Sequence, residues 1–94
     1  MAVECAGRPS AAQVVALLWR TNALPVSVTP VVRDGPLCAG SWQYTVVVPA
    51  QREPLQVVTR GEPDALSLVT AGSSVCTVEV RTAAPTGIRI AAHC

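Results

Sequence analysis

The chain has 94 residues, enough for one domain built around a single core and too few for two. Charged residues make up 14% and the formal net charge is +1, so there is neither a basic field to hold nucleic acid nor an acidic block to hold a basic partner. Half the residues are apolar, but the longest apolar stretch, Val14 to Trp19, is far short of the roughly 20 residues needed to cross a bilayer, which predicts a soluble domain with no membrane insertion.

The first element in chain order is a helix. Ser10 and Gln13 have the S-x-x-Q form of a capping box, in which each side chain satisfies an orphan amide of the first turn. Ala11, Val14, Leu17 and Leu18 then fall on one stripe with Val15 beside them, predicting a helix over residues 10–21 with Gln13 and Arg20 facing water. The rest alternates with period two and is punctuated by Pro and Gly, so it reads as strands. Val26 to Val32 is the first, and Pro30 demotes it to an edge or bulged strand. Trp42 to Val48 is the strongest, with Trp42, Tyr44, Val46 and Val48 on one side and Gln43, Thr45 and Val47 on the other. Leu55 to Arg60 and Leu66 to Thr70 follow. The connections Pro49 to Pro54 and Gly61 to Asp64 have hairpin length, which predicts antiparallel neighbours. Val75 to Thr82 also alternates and is read as a strand, with a short helix capped by Thr77 as its rival. Pro85 and Gly87 end it before an apolar tail from Ile88 to Cys94. The expected fold is α+β: residues 1–94 form a single domain in which an N-terminal helix lies on one face of a four- or five-stranded antiparallel sheet.

The cysteines Cys5, Cys38, Cys76 and Cys94 bracket this whole span. An even count in a short chain, with no close Cys-x₂₋₄-Cys knuckle, points to two disulfides in an oxidising compartment and away from zinc. Four cysteines allow three pairings. The preferred one joins Cys5 to Cys38, holding the segment before the helix against the loop entering the Trp42 strand, and Cys76 to Cys94, clipping the tail to the end of the sheet. The expected location is therefore secreted or cell-envelope, with the signal peptide removed and Met1-Ala2 an initiator joined to the mature segment; four reduced thiols in the cytoplasm are the alternative.

Catalysis has little to build on. The only imidazole, His93, sits beside Cys94 in a tail read as extended, where neighbouring side chains point to opposite faces and cannot share a proton. The carboxylates Glu4, Asp34, Glu53, Glu62, Asp64 and Glu79 are scattered, and no phosphate loop or dinucleotide fingerprint is present. The expectation is a non-enzyme without cofactor or metal.

The strings Leu37-Cys38-Ala39-Gly40-Ser41-Trp42-Gln43-Tyr44, Gln56-Val57-Val58-Thr59-Arg60-Gly61 and Ala71-Gly72-Ser73-Ser74-Val75-Cys76, with a terminal Cys94, resemble small exported actinobacterial proteins of uncharacterised function. The resemblance implies secretion or envelope attachment and no particular activity. Gln56-Val57-Val58 followed by Gly61 also resembles the Gln-x-Val-x-Gly loop of cystatins, which pack one helix on an antiparallel sheet. Here the Gly comes one residue late and the segment reads as a strand, so the inhibitory loop is not carried over.

Interaction is what remains. Trp42 and Tyr44 would share an apolar strand face, most simply the core under the helix together with Trp19, and otherwise an aromatic platform for a ligand. Arg52 stands at the tip of the Pro49 to Pro54 turn. The expected function is a non-catalytic interaction or accessory domain for an unspecified protein partner, with Trp42, Tyr44 and Arg52 as candidate binding residues. The alternative is a small extracellular inhibitor presenting Arg52 to a trypsin-like protease.

Overall fold

In the computed structural model, which describes residues 1–94, both halves of the expected capping box form. The Gln13 amide donates to Ser10 Oγ at 3.2 Å and the Ser10 amide donates to Gln13 Oε1 at 2.8 Å, so helix α1 runs Ala11–Arg20. Val14, Val15, Leu17 and Leu18 are its buried residues, as the periodicity predicts. Gln13 departs from the water-facing expectation, because its Nε2 also donates to the Pro63 carbonyl at 3.0 Å and ties the helix to a distant loop.

The sheet is a five-stranded meander in the order β1 (Val3–Glu4), β2 (Val31–Ala39), β3 (Trp42–Val48), β4 (Leu55–Arg60) and β5 (Ser67–Gly72), with every pairing antiparallel. The predicted bounds of β3 and β4 match. The strand expected over Val26 to Val32 does not form until Val31. Residues 26–29 lie between Pro25 and Pro30, neither of which has an amide to give a ladder, Trp19 Nε1 donates to the Val28 carbonyl at 2.8 Å, and Val26 is 78% exposed. The strand instead continues to Ala39 across Gly35-Pro36, a pair that reads as a breaker; the register shifts twice there, between Val32 and Asp34 and between Asp34 and Leu37, and this irregularity absorbs it.

The second correction concerns the C-terminal segment. Residues 75–82 are not a strand: the rival reading holds, with Thr77 Oγ1 accepting from the Val80 amide at 3.3 Å and helix α2 spanning Val78–Ala83. Val78 and Val80 are two apart, a strand-like spacing that in a helix places them on opposite sides. Only Val80 is buried, while Val78 is 77% exposed. The tail is not extended either, since Thr86–Ala91 form helix α3 and the Cys94 amide turns back to the Arg89 carbonyl at 2.8 Å.

These two short helices form a second layer, so the expected single core is replaced by two that share one sheet. On one side Val14, Leu17 and Leu18 of α1 pack on Val47 and Val57 with Leu24 and Leu66. On the other, Val80, Ala84, Ile88 and Ala92 cover Trp42, Tyr44, Val46 and Val58. Trp42 and Tyr44 therefore lie opposite α1, not beneath it, and Trp19 packs with the α1 side. The preferred disulfide pairing is the one present, Cys5–Cys38 and Cys76–Cys94.

The α1 side of β3 is polar at one end. Thr59 Oγ1 donates to Gln43 Oε1 at 2.8 Å, and Gln43 Nε2 donates to the carbonyls of Ser41 at 3.1 Å and Gly61 at 3.2 Å. The fully buried Thr45 hydroxyl has no partner. Because an unpaired buried hydroxyl opposes folding, Thr45→Val should raise stability by about 1 kcal/mol, read as a higher urea midpoint with unchanged slope. A clear loss would mean that the hydroxyl is bonded in solution.

Candidate functional site

An open groove of about 600 Å³ lies on the α2–α3 side of the sheet. Its apolar floor is Leu37 and Val46, with Ala91 of α3 at one wall. Leu37 is the cross-strand partner of Tyr44, and Val46 that of Asp34, so the pleat sends all four to the same face.

Tyr44 is the central polar group. Its ring is buried, with 6% exposure, and its hydroxyl donates to Gln56 Oε1 at 2.7 Å, while Gln56 Nε2 donates to the Ser73 carbonyl at 2.7 Å. A satisfied polar row thus crosses from β3 to the end of β5. Burial pushes the Tyr44 pKa above its ordinary value, the negative charge of Asp34 adds to the rise, and Arg33 partly opposes it. Arg33 Nε meets Asp34 Oδ2 at 3.0 Å, both side chains more than half exposed, so the pair fixes local charge geometry more than it stabilises the fold.

Tyr44 is the only tyrosine, so its ionisation has an unobscured ultraviolet signal. The folded protein should titrate above the ordinary phenol range near 10, returning to it in denaturant. The sign follows from linkage: above the unfolded pKa the denatured chain loses its proton first, so stability is intact below about pH 10 and falls as pH rises through the folded value. Superimposable folded and unfolded titrations would remove the argument.

The groove is framed by both disulfides. Glu4, Leu37 and His93 line it, and each is the immediate neighbour of a bridged cysteine, Cys5, Cys38 and Cys94 respectively. His93 is exposed, as expected of it, and takes a left-handed backbone with φ of 59° at the turn after α3. The Arg33–Asp34 contact is the one ion pair of the molecule, so no carboxylate pairs with His93. No three His, Cys, Asp or Glu side chains converge as a metal site.

Of the residues singled out from sequence, Tyr44 lines the groove and Trp42 does not. Trp42 is 4% exposed, with the Arg60 guanidinium 4.9 Å from its ring centroid, so it offers no open aromatic platform. Arg52 is exposed on the β3–β4 connection, whose Pro54 lines the groove while Arg52 does not; its amide donates to the Pro49 carbonyl at 3.1 Å and Gln51 has φ of 59°. That is a closed turn, unlike the extended backbone of a substrate-like loop. Arg33, Asp34, Gln56 and His93 were not predicted as groove residues, and only the position of His93 beside a cysteine hinted at it. Compared with protein families, with curated proteins and with solved structures, the chain matches none.

Proposed function

We propose that this chain is an extracytoplasmic, non-catalytic interaction domain whose partner docks in the groove between the two disulfides. The single observation that supports this is the framing itself: Glu4, Leu37 and His93 are held by cross-links that tie distant parts of the chain together. A binding surface whose walls are fixed before the partner arrives loses less ordering entropy on association. The groove's chemistry, with Arg33, Asp34, Glu4 and His93 around an apolar floor, suits a folded partner or peptide with both an apolar anchor and charged flanks.

The test is capture from an extracytoplasmic fraction by immobilised protein. An Arg33→Ala/His93→Ala chain should lose its specific partner by at least about tenfold, while Arg52→Ala should retain it. Capture that depended on Arg52 and ignored the groove pair would favour the inhibitor alternative and sink the groove reading.

A further inference from the structure

The two disulfides are held differently by the rest of the fold. Cys5–Cys38 lies inside a ladder: Val3 pairs with Cys38 and Glu4 with Leu37, the Cys5 amide donates to the Pro36 carbonyl at 3.1 Å, and both cysteines are half-buried. With that bridge cut, the strands still keep the two sulfurs side by side. Cys76–Cys94 has no such frame. No backbone hydrogen bond joins the residues around Cys76 to those around Cys94, and Cys94 is the one exposed cysteine of the four. The layer this bridge closes is also lightly held. Helix α2 buries only Val80, and Arg89 Nη1 of α3 reaches the Arg81 carbonyl of α2 at 3.5 Å, the outer limit of a hydrogen bond. The start of α3 is pinned by other means, since a Cβ on Gly87 would meet the Ala2 amide nitrogen at 2.5 Å and the N-terminal backbone therefore lies directly on it. The far end, where Ala91 and His93 line the groove, has the bridge and the small buried side chain of Ala92.

We propose that Cys76–Cys94 is a redox latch, which a dithiol reductant opens ahead of Cys5–Cys38, freeing α2 and the end of α3 and removing one wall of the groove. For its bearing on a partner the inference rests on the groove reading above. A thiolate of the dithiol attacks the exposed Cys94 sulfur, the S–S bond breaks, and Cys76 leaves as a thiolate that takes up a proton. The second thiol of the dithiol, once deprotonated, attacks the mixed disulfide and releases Cys94, which is protonated in turn. The dithiol ends as a cyclic disulfide, having passed two electrons to the bridge. Both access and re-closure favour this order. The rate of attack follows access to the sulfur. After reduction, two six-residue helices do not keep their shape alone, so their thiols separate, whereas Cys5 and Cys38 stay opposed across β1 and β2.

The test needs no partner, so its failure and that of the groove reading stay separate. The folded protein is equilibrated at neutral pH over a series of reduced-to-oxidised dithiothreitol ratios, alkylated with iodoacetamide and peptide-mapped. Cys76 and Cys94 should become alkylated at a ratio at least about tenfold below the one that opens Cys5–Cys38. In the half-reduced protein α2 and the end of α3 should lose amide protection while α1, β2 and β3 keep theirs, and Tyr44 should titrate closer to an ordinary phenol as its cover lifts. In concentrated urea the gap between the bridges should vanish, because an unfolded chain re-closes a separation of 18 residues more readily than one of 33. Opening of both bridges together, or of Cys5–Cys38 first, overturns the proposal. A half-reduced protein with unchanged α2 and α3 protection and an unmoved Tyr44 titration overturns it too, as does a gap that survives urea, which would place the order in the cysteines' immediate chemistry and not in the fold.

Discussion

Replacing Cys76 and Cys94 together by serine should lower stability by about 3 kcal/mol, with the loss concentrated in the α2–α3 layer. The bridge joins residues 18 apart and encloses both short helices, neither of which has the length to be stable in isolation. What holds them is the bridge and the burial of Val80, Ala84, Ile88 and Ala92 against Trp42, Tyr44, Val46 and Val58. Once the loop is opened, detaching the layer regains more chain entropy, and exposure of the Trp42 face becomes the lowest-cost opening. Urea denaturation measures the total, and amide exchange locates it: protection should fall first in α2 and α3 while α1, on the other face, keeps its own. The Cys5–Cys38 bridge joins residues 33 apart, and the same chain-entropy argument assigns its removal about 4 kcal/mol. A Cys76→Ser/Cys94→Ser protein in which α1 and α3 lost protection equally would show that the two layers unfold as one unit and that the bridge acts globally.

The parts of this fold that sequence reasoning reached are those where two independent signals agree. Helix α1 has both a capping box and an apolar stripe, and β3 and β4 have alternation bounded by turn residues on both sides. The preferred cysteine pairing followed from imagining where the ends of a meander must be tied, and it is the pairing present. Where signals conflicted, the reading failed. The strand placed over Val26 to Val32 stopped short of Gly35-Pro36, which β2 crosses with shifts of register, and a six-residue helix is too short for its period to be told from a strand's. That both faces of the sheet are covered was missed for a related reason. The helix was expected on the Trp42 and Tyr44 face, but α1 covers the half-polar one, where Gln43, Thr45 and Thr59 are all buried, two of them in one hydrogen-bond network. The groove was hidden because its residues come from β1, β2, β3, β4, the β3–β4 connection, the segment after β5 and the end of α3, which only the tertiary fold brings together.

The backbone at Gly35 carries the sharpest structural test of the groove. Gly35 has φ of +84°, a left-handed conformation that L residues adopt only with strain. A Cβ there would sit 2.6 Å from the Tyr44 carbonyl oxygen and 2.9 Å from the Leu37 amide nitrogen, both backbone atoms of the sheet that cannot rotate away. Gly35→Ala should therefore destabilise the domain by about 3 kcal/mol or more, because β2 must move off β3 to admit the methyl group. Gly40→Ala is the matched control. Its φ is +59° with no atom within 4 Å of an added Cβ, so it meets only the intrinsic left-handed cost of about 1 kcal/mol. The difference between the two isolates the close approach of β2 to β3. The displacement should also register at the site itself, since moving β2 carries Asp34 and Leu37 away from Tyr44, lessening the burial and the negative charge that raise its pKa. Tyr44 in the Gly35→Ala protein should then titrate closer to an ordinary phenol. Equal stability losses for the two substitutions, with the Tyr44 titration unmoved, would mean that β2 does not cross β3 at Gly35 as closely as described, and the wall of the groove carrying Arg33 and Asp34 would have to be redrawn.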